Sequence, residues 1–251
     1  MKRKNGSIKK TGVTAVVPVL NESRNLSFFL PKLKEYVDEI IIVDGRSTDD
    51  TVNKALKIVP DAKILVQDKK GKGDALKLGF MYASNDFIVM IDADCSHRPS
   101  EIPRFVNALK KGFDVVKGSR LMRYGGSDDL STFRLFGNIL FVILTNLLHG
   151  TSYTDLCYGF KAFRRDALRK VTINADDFDI ETEMAIRMHR AGLKITEVPS
   201  FEQKRKFGRT KLSATQHGVK IFWTIIKEFI LRYNLFFLRE RGFFEKDRDL
   251  G

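Results

Sequence analysis

The chain has 251 residues, of which 43% are hydrophobic and 30% charged, and its 44 Lys and Arg against 31 Asp and Glu give a formal net charge of +13. These proportions exclude a disordered chain and a fully membrane-embedded one, and the length suits a single α/β-sized core. The positive excess predicts anionic partners such as nucleotides, nucleic acid or lipid head groups, and two cysteines without a CxxC pattern or disulfide framework argue against zinc and for a reducing, cytosolic compartment.

Residues 1–11 read as a basic tail. The apolar run that follows is short, contains Pro18 and lacks a small-residue cleavage site, so it is not read as a secretory signal. From there β-branched runs alternate with amphipathic stretches: "VTAVVPV", then "SFFLPKLKEYV", "EIIIVD", "DTVNKALKIV", "KILV", "GDALKLGFMYA" and "FIVMID". Strict alternation of strand and helix predicts an α/β fold, a mostly parallel Rossmann-like sheet with helices on both faces.

In such sheets ligands bind beyond the carboxyl ends of the strands, and there the chain places Asn21, Glu22 and Ser23, then Asp44, then Asp92 and Asp94. Two acids at i and i+2 on extended chain point the same way and can grip a hard cation, Mg²⁺ or Mn²⁺, through oxygen. A cation so held would bridge a diphosphate and neutralise charge as it leaves. The loop "KKGKGDA" sets Lys69, Lys70 and Lys72 around Gly71 and Gly73 before a helix, as a phosphate-binding loop or as a solvated basic turn.

The second half is less regular. An apolar helix is expected over Phe133–Leu148, too short to span a bilayer and carrying Asn138 and Asn146, which suits a core or groove-lining role. A strand in "YGFKAF", a helix from about Ile180 to Ala191 and a strand in "KITEVP" follow. Beyond Leu212 a long amphipathic helix gathers Lys220, Thr224, Lys227, Glu228 and Arg232 on one side and Phe222, Trp223, Ile225, Ile226, Phe229, Ile230 and Tyr233 on the other. Such a helix lies in a membrane interface, packs on its own domain, or meets the same helix of a second copy in a homodimer. The expected organisation is a tail at 1–11, a catalytic domain at 12–215 and an amphipathic helix at 216–251.

The stretches "VVPVLNESRNL", "IIIVDGRSTDDT", "GKGDALKLGF", "VMIDADCSHRPSEIP" and "VVKGSR" occur in this order with this spacing. In them the chain resembles the family 2 inverting glycosyltransferases of the GT-A fold, closest to the dolichol-phosphate mannosyltransferase-like branch that uses polyprenyl phosphates. The resemblance runs from about Gly12 to Leu212. It implies donor binding by Pro18, Leu20, Asn21, Glu22, Asp44, Lys72, Asp92 and Arg120, and a metal on the DxD pair Asp92 and Asp94, with a weaker claim for Ser96. It implies catalytic parts for Asp94, Glu181, Glu183 and Arg205. For the acceptor phosphate it implies Arg134, together with Arg205, Arg209 and Lys211 of "FEQKRKFGRTKL", which is similar to the branch's RxxGxSKL element.

One departure matters. Many relatives read VDDGSTDGT where this chain has Asp44-Gly45-Arg46-Ser47-Thr48-Asp49-Asp50-Thr51, which leaves the donor open between GDP- and UDP-hexoses. Asp49 is read as a helix-starting acid, His97 as a hydrogen-bonding loop residue, and Asp155 as structural or acceptor-facing.

The implied activity is metal-dependent transfer of a hexose, mannose or glucose, from a nucleoside diphosphate sugar to a polyprenyl or dolichyl phosphate. It would take place on the cytosolic membrane face, with the protein peripheral there and no nucleic acid involved. A phosphate acceptor, with a second pKa of about 6, arrives ionised and needs no base. Glu181 or Glu183 would then position it, whereas a hydroxyl acceptor such as a glycan or a small phosphorylated acid would need one of them as base. A non-catalytic basic membrane-binding protein is the reading from another class, and it leaves the strand-end acids unexplained.

Overall fold

A computed structural model describes residues 12–208 and 214–240. Four β-branched runs become β1 (Val13–Val19), β2 (Glu39–Asp44), β3 (Lys63–Val66) and β4 (Phe87–Met90). Between and after them stand α1 (Ser23–Leu33), α2 (Thr51–Ile58), α3 (Lys72–Tyr82) and α4 (Ile102–Lys110), which follows a short 3-10 turn. The second half contributes β5 (Val115–Ser119), β6 (Gly126–Ser127), α5 (Thr132–His149), β7 (Lys161–Arg164) and α6 (Arg165–Arg169). It ends with α7 (Ile180–Arg190), β8 (Ile195–Pro199), β9 (Phe201–Glu202) and α8 (Ala214–Glu240).

Seven strands form one sheet in the order β3-β2-β1-β4-β7-β5-β8, and β6 pairs with β9. All pairings in the large sheet are parallel except those of β7, which runs antiparallel between β4 and β5. The fully buried strands explain why the runs read as continuous β-branched sequence rather than alternation. On one face α1 and α4 bury Leu26, Phe29, Leu30, Phe105 and Leu109 against Val17, Ile42 and Val89. On the other, α3 and α7 bury Leu76, Ile180 and Met184 against Val16, Ile41, Met90 and Phe163. Each such side chain contributes about 1.5–3 kcal/mol by leaving water. Gly79 lets α3 lie against β1, since a Cβ there would come 2.3 Å from Cγ1 of Val16.

Two helices sit the other way round from the usual amphipathic arrangement. α5 turns its polar residues inward: Asn138 donates to Asp155 at 3.0 Å, and Asn146 donates to the Tyr153 carbonyl at 2.9 Å. Its apolar residues Phe133, Phe136, Leu140, Ile143 and Leu147 are 58–77% exposed. Of the two roles its composition suits, core and groove-lining, the exposed face rules out the first, and Phe133, Gly137, Asn138 and Phe141 line a groove. Among the described residues α5 is the one helix long and apolar enough to cross a membrane by length and composition alone, with 18 residues and a mean hydropathy of 1.3.

α8 likewise turns much of its polar stripe to the domain. Lys220 pairs with Asp177 and Thr224 donates to Asp179, while Glu228, 1% exposed, meets Arg187 at 2.6 Å and Arg190 at 3.1 Å. Ile221 and Ile225 pack inward with Tyr153 and Leu156, while Phe222, Trp223 and Ile230 face outward. A charged stripe is buried because α7 and the loop before it offer a matching set of opposite charges.

Candidate active site

The carboxyl ends of β1, β2 and β4 converge on a cavity of about 430 Å³, and the segment before α7 and the chain after β9 close its other side. Asp92 and Asp94 lie in its wall just beyond β4. Between Asp94 and Ser96 the chain turns through Cys95 at φ 67°, a left-handed conformation that costs a non-glycine residue about 1–2 kcal/mol and is typical of functional sites. The turn is fastened by the Asp92 amide donating to Nδ1 of His97 at 3.1 Å and the Ser96 amide donating to Asp94 at 2.9 Å. His97 stacks on Phe160 and meets Tyr158 edge-on, so it acts as the hydrogen-bonding loop residue the sequence suggests.

Both acids carry a cationic partner. Lys72, on the first turn of α3, reaches Asp92 at 2.7 Å and Glu181 at 2.9 Å. Burial alone would push the Asp92 carboxyl up, but the Lys72 ammonium outweighs it and holds the group below the usual carboxylate range. The same balance, burial against two carboxylates, raises Lys72. Arg205 spans Asp94 at 2.7 Å and Glu22 at 3.0 Å, and Glu22 also accepts from Asn25. The segment carrying Arg205 is tied down by Gln203 donating to the Ser96 carbonyl and by Phe207 exchanging hydrogen bonds with Asn25.

Other expected residues take other positions. Pro18, Leu20 and Glu22 line the cavity, but Asn21 and Asp44 do not. Asn21 stands at φ 56° and accepts from the Thr48 amide at 2.8 Å, while Asp44 accepts from the Ser47 hydroxyl at 2.6 Å. Both fasten the loops after β1 and β2, whose neighbouring residues Leu20, Glu22 and Gly45 line the cavity. Asp49 accepts from the Thr51 and Ser23 amides at the start of α2, as expected of a helix-starting acid. Arg46, where many relatives carry glycine, adopts φ 65° and donates to the Gln67 carbonyl at 3.3 Å, so it keeps the turn that glycine would make.

The basic loop before α3 brings Gly71 and Lys72 to the cavity wall. A Cβ on Gly71 would come 2.1 Å from the Asp176 carbonyl and one on Gly73 2.5 Å from that of Ala175, so these glycines permit close backbone packing. Lys69 pairs with Asp176, and of the three lysines only Lys72 lines the cavity.

Arg120 reaches the wall but is heavily engaged. Its guanidinium forks onto Asp155 at 2.7 and 3.0 Å and meets Glu202 at 3.0 Å. Asp155 has no exposed surface and also accepts from Asn138, which makes it structural rather than acceptor-facing. Burial pushes its carboxyl up, but Arg120 overrides this and holds it low. Arg134 pairs with Asp129 at 3.2 Å on the cavity wall.

The two glutamates of α7 separate. Glu181 faces the cavity between Lys72 and, at 3.9 Å, Lys161. Glu183 accepts from the amides of Asn174 and Ala175 at 2.9 and 2.7 Å and pairs with Arg187 at 2.9 Å, so its catalytic assignment is corrected to a loop clamp. Arg209 and Lys211 lie outside the described residues, as do residues 1–11. Sequence reasoning missed Lys161, Phe178 and His217. For Lys161 the signal was a charge inside the apolar run "YGFKAF".

At Arg120, Arg134, Cys157, His217 and Ile221 the cavity continues into an apolar groove of about 520 Å³ between α5 and α8, flanked by Phe133, Phe141, Phe222 and Trp223. A polar chamber whose wall sets Lys72, Arg120, Arg134 and Arg205 among a larger number of carboxylates thus opens into an apolar groove.

Comparison with known proteins agrees with this geometry. The chain is 30% identical over 213 residues to the undecaprenyl-phosphate mannosyltransferase of Micrococcus luteus, covering 80% of this chain and 87% of that one. It is 28% identical over 218 residues to a dolichyl-phosphate hexose transferase of Haloferax volcanii, covering 86% and 92%. Its fold matches the glucosyl-3-phosphoglycerate synthase of Mycobacterium tuberculosis, solved with Mn²⁺ and uridine diphosphate, at a TM-score of 0.70 and 23% identity, over 87% of this chain and 80% of that one. The profile of glycosyl transferase family 2 matches residues 14–172, more than half of the chain. The strand-end acids, the mostly parallel sheet and these matches together make the chain a glycosyltransferase and a member of glycosyl transferase family 2.

Proposed function

We propose that the chain transfers a hexose, mannose or glucose, from a GDP- or UDP-sugar to a polyprenyl or dolichyl phosphate at the cytosolic face of a membrane, with inversion at the anomeric carbon. The observation that carries this reading is the continuity of the cavity with the apolar groove, with Arg120, Arg134 and His217 at their junction. A phosphate at that junction places its isoprenoid tail along Phe133, Phe141, Phe222 and Trp223. The names of the Micrococcus and Haloferax relatives support the same acceptor class.

The residues present fit a divalent cation. Asp92 and Asp94 are hard oxygen donors in the cavity wall, and each already holds a cationic side chain, Lys72 at 2.7 Å and Arg205 at 2.7 Å, where a metal ion's charge would be accepted. Among the described residues no third His, Cys, Asp or Glu completes a cage. That is the arrangement Mg²⁺ or Mn²⁺ accepts when substrate phosphates supply the remaining oxygens. When bound, the cation would supply charge neutralisation of the departing diphosphate.

The chain's own residues do the rest. Lys72 and Arg205 are cations already held at the acids, within reach of diphosphate oxygens in the same cavity. Arg134 orients the acceptor phosphate, which attacks the anomeric carbon in its ionised form, so Glu181 positions rather than deprotonates. The exposed apolar faces of α5 and α8 lie beside the groove mouth and would sit in the lipid interface, so that the acceptor enters without leaving the bilayer.

The test is transfer of radiolabel from a panel of nucleotide sugars into organic-extractable product, with and without a short polyprenyl phosphate. Asp94→Asn should abolish it and Glu181→Gln should only weaken it. Wild-type label entering a hydroxyl acceptor and no lipid, with complete loss in Glu181→Gln, would overturn the phosphate-acceptor reading.

A further inference from the structure

Lys161 sits in the middle of the sheet, on β7, with Met90 of β4 on one side and Lys117 of β5 on the other, in direct register with both. It is 1% exposed, and its ammonium has no hydrogen-bond partner in the structure. Like charges placed opposite one another across strands repel, and a buried ammonium without a hydrogen bond costs several kcal/mol. Lys117 is compensated by Glu197 at 3.1 Å, the Asp155 carbonyl at 2.7 Å and the face of Tyr153. Among the described residues Lys161 has only Glu181 as an acid partner, 3.9 Å away.

Glu181 is therefore held from two sides. Lys72 approaches from the cavity and is shared with Asp92, while Lys161 approaches from the sheet and is shared with no other acid within ion-pair distance. Space there is tight, because a Cβ on Gly159 would meet Asp92, Lys72 and Glu181 at 2.9, 3.0 and 3.1 Å. Burial pushes the Lys161 ammonium down to about 8, against the pull of Glu181, which leaves it charged at neutral pH.

We infer that Lys161 is a positioning residue of the transfer reaction, fixing the Glu181 carboxylate from beneath so that Lys72 can exchange Asp92 and Glu181 for the donor's phosphates. Without Lys161, Glu181 takes the whole of Lys72, and the cation meant for the diphosphate stays at the acid. The inference rests on the proposed role of Glu181 at the cavity and deepens it.

The test compares Lys161→Met, Glu181→Gln and the double variant, using whichever acceptor takes label from the wild type, with kcat, nucleotide-sugar KM and melting measured for each. Lys161→Met is expected to lower kcat about tenfold and to raise nucleotide-sugar KM at least about threefold, since Lys72 is withheld from the donor's phosphates, and the double variant to be no worse than Glu181→Gln, because contacting residues that act through one another do not add. Lys161→Arg, which keeps the charge, should recover part of the rate. If Lys161→Met fails to fold, the double variant, which removes both charges, should fold again and match Glu181→Gln in rate.

A wild-type kcat in Lys161→Met, beside an impaired Glu181→Gln, overturns the inference and leaves the proposed function standing. Additive losses, or a double variant that does not fold, reduce Lys161 to a structural role and overturn it as well. Full activity in Glu181→Gln removes the role of Glu181 itself and the inference with it. Label that enters only a hydroxyl acceptor defeats the polyprenyl reading while leaving the comparison of variants valid.

Discussion

Asparagine in place of Asp155 gives the sharpest test of how the site is supported. The Asp155 carboxylate has no exposed surface and takes two bonds from the Arg120 fork at 2.7 and 3.0 Å, one from the Arg120 amide at 3.1 Å and one from Asn138 at 3.0 Å. Asp155→Asn keeps the shape but strands the Arg120 guanidinium, itself 7% exposed, with Glu202 as its one remaining acid. Breaking one side of a buried pair costs about 3–5 kcal/mol, because the other charge is left uncompensated. For a chain of this size that is a fall of about 6–20 °C in melting temperature. Arg120→Met should cost a similar amount.

The double variant Asp155→Asn/Arg120→Met removes both charges. It should lose less than either single change, since neutralising a buried pair together is far milder than splitting it. Thermal melts and urea titrations of the three variants measure this directly. A single variant melting within about 2 °C of wild type, or a double variant showing the sum of both losses, would refute the assignment of Arg120–Asp155 as the buried support of the junction.

Three further outcomes follow from the same coordinates. Gly159→Ala should lower kcat/KM by more than about tenfold, because Asp92 and Glu181 must shift from the added methyl, while melting changes by only a few degrees; steady-state kinetics beside a melt decide it. Glu39 is held down to about 2 from its ordinary 4.5 because, although burial raises it, bonds from Lys63, Thr14 and Ser84 outweigh that. Its stabilisation is therefore complete above pH 4.5 and lost as pH falls from there to about 2. Glu39→Gln should cost about 1–2 kcal/mol at pH 7, after discounting for solvent, and nothing near pH 2, by urea denaturation across pH. Glutamates at Leu140, Ile143 and Trp223 should reduce cosedimentation with anionic vesicles at least about tenfold without changing the melt, since each removes an outward apolar side chain worth more than 1 kcal/mol in lipid; unchanged cosedimentation would remove α5 and α8 from the interface.

The sheet was legible because its inner strands are buried on both faces, so that "VTAVVPV" and "EIIIVD" become β1 and β2 residue for residue, while the half-exposed edge strand β3 was marked by the short β-branched run "KILV". The acids at strand ends were legible because charge directly after a buried strand has few other uses. Which glutamate of "FDIETE" faces the cavity was not, since Glu181 and Glu183 differ by two residues on one helix turn and only the position of the 174–175 loop separates them. The orientation of α5 and α8 was hidden for a similar reason. A helical wheel divides a helix into faces, but it cannot say that Glu228 will find Arg187 and Arg190 inside while Trp223 is left outside. The close approach of the 175–176 backbone to Gly71 and Gly73 was not legible, because a glycine that admits a neighbouring backbone looks in sequence like one that admits a phosphate.

On the proposed reading the acids Asp92 and Asp94 and the apolar groove serve one reaction. The most direct measurement supplies one tube of enzyme with a labelled nucleotide hexose, Mn²⁺, a polyprenyl phosphate in vesicles and a soluble phosphorylated hydroxy acid, and counts label in the organic and aqueous phases. The account predicts label in the organic phase, lost in Asp94→Asn. Label accumulating in the aqueous acid, with none extracted, would contradict it.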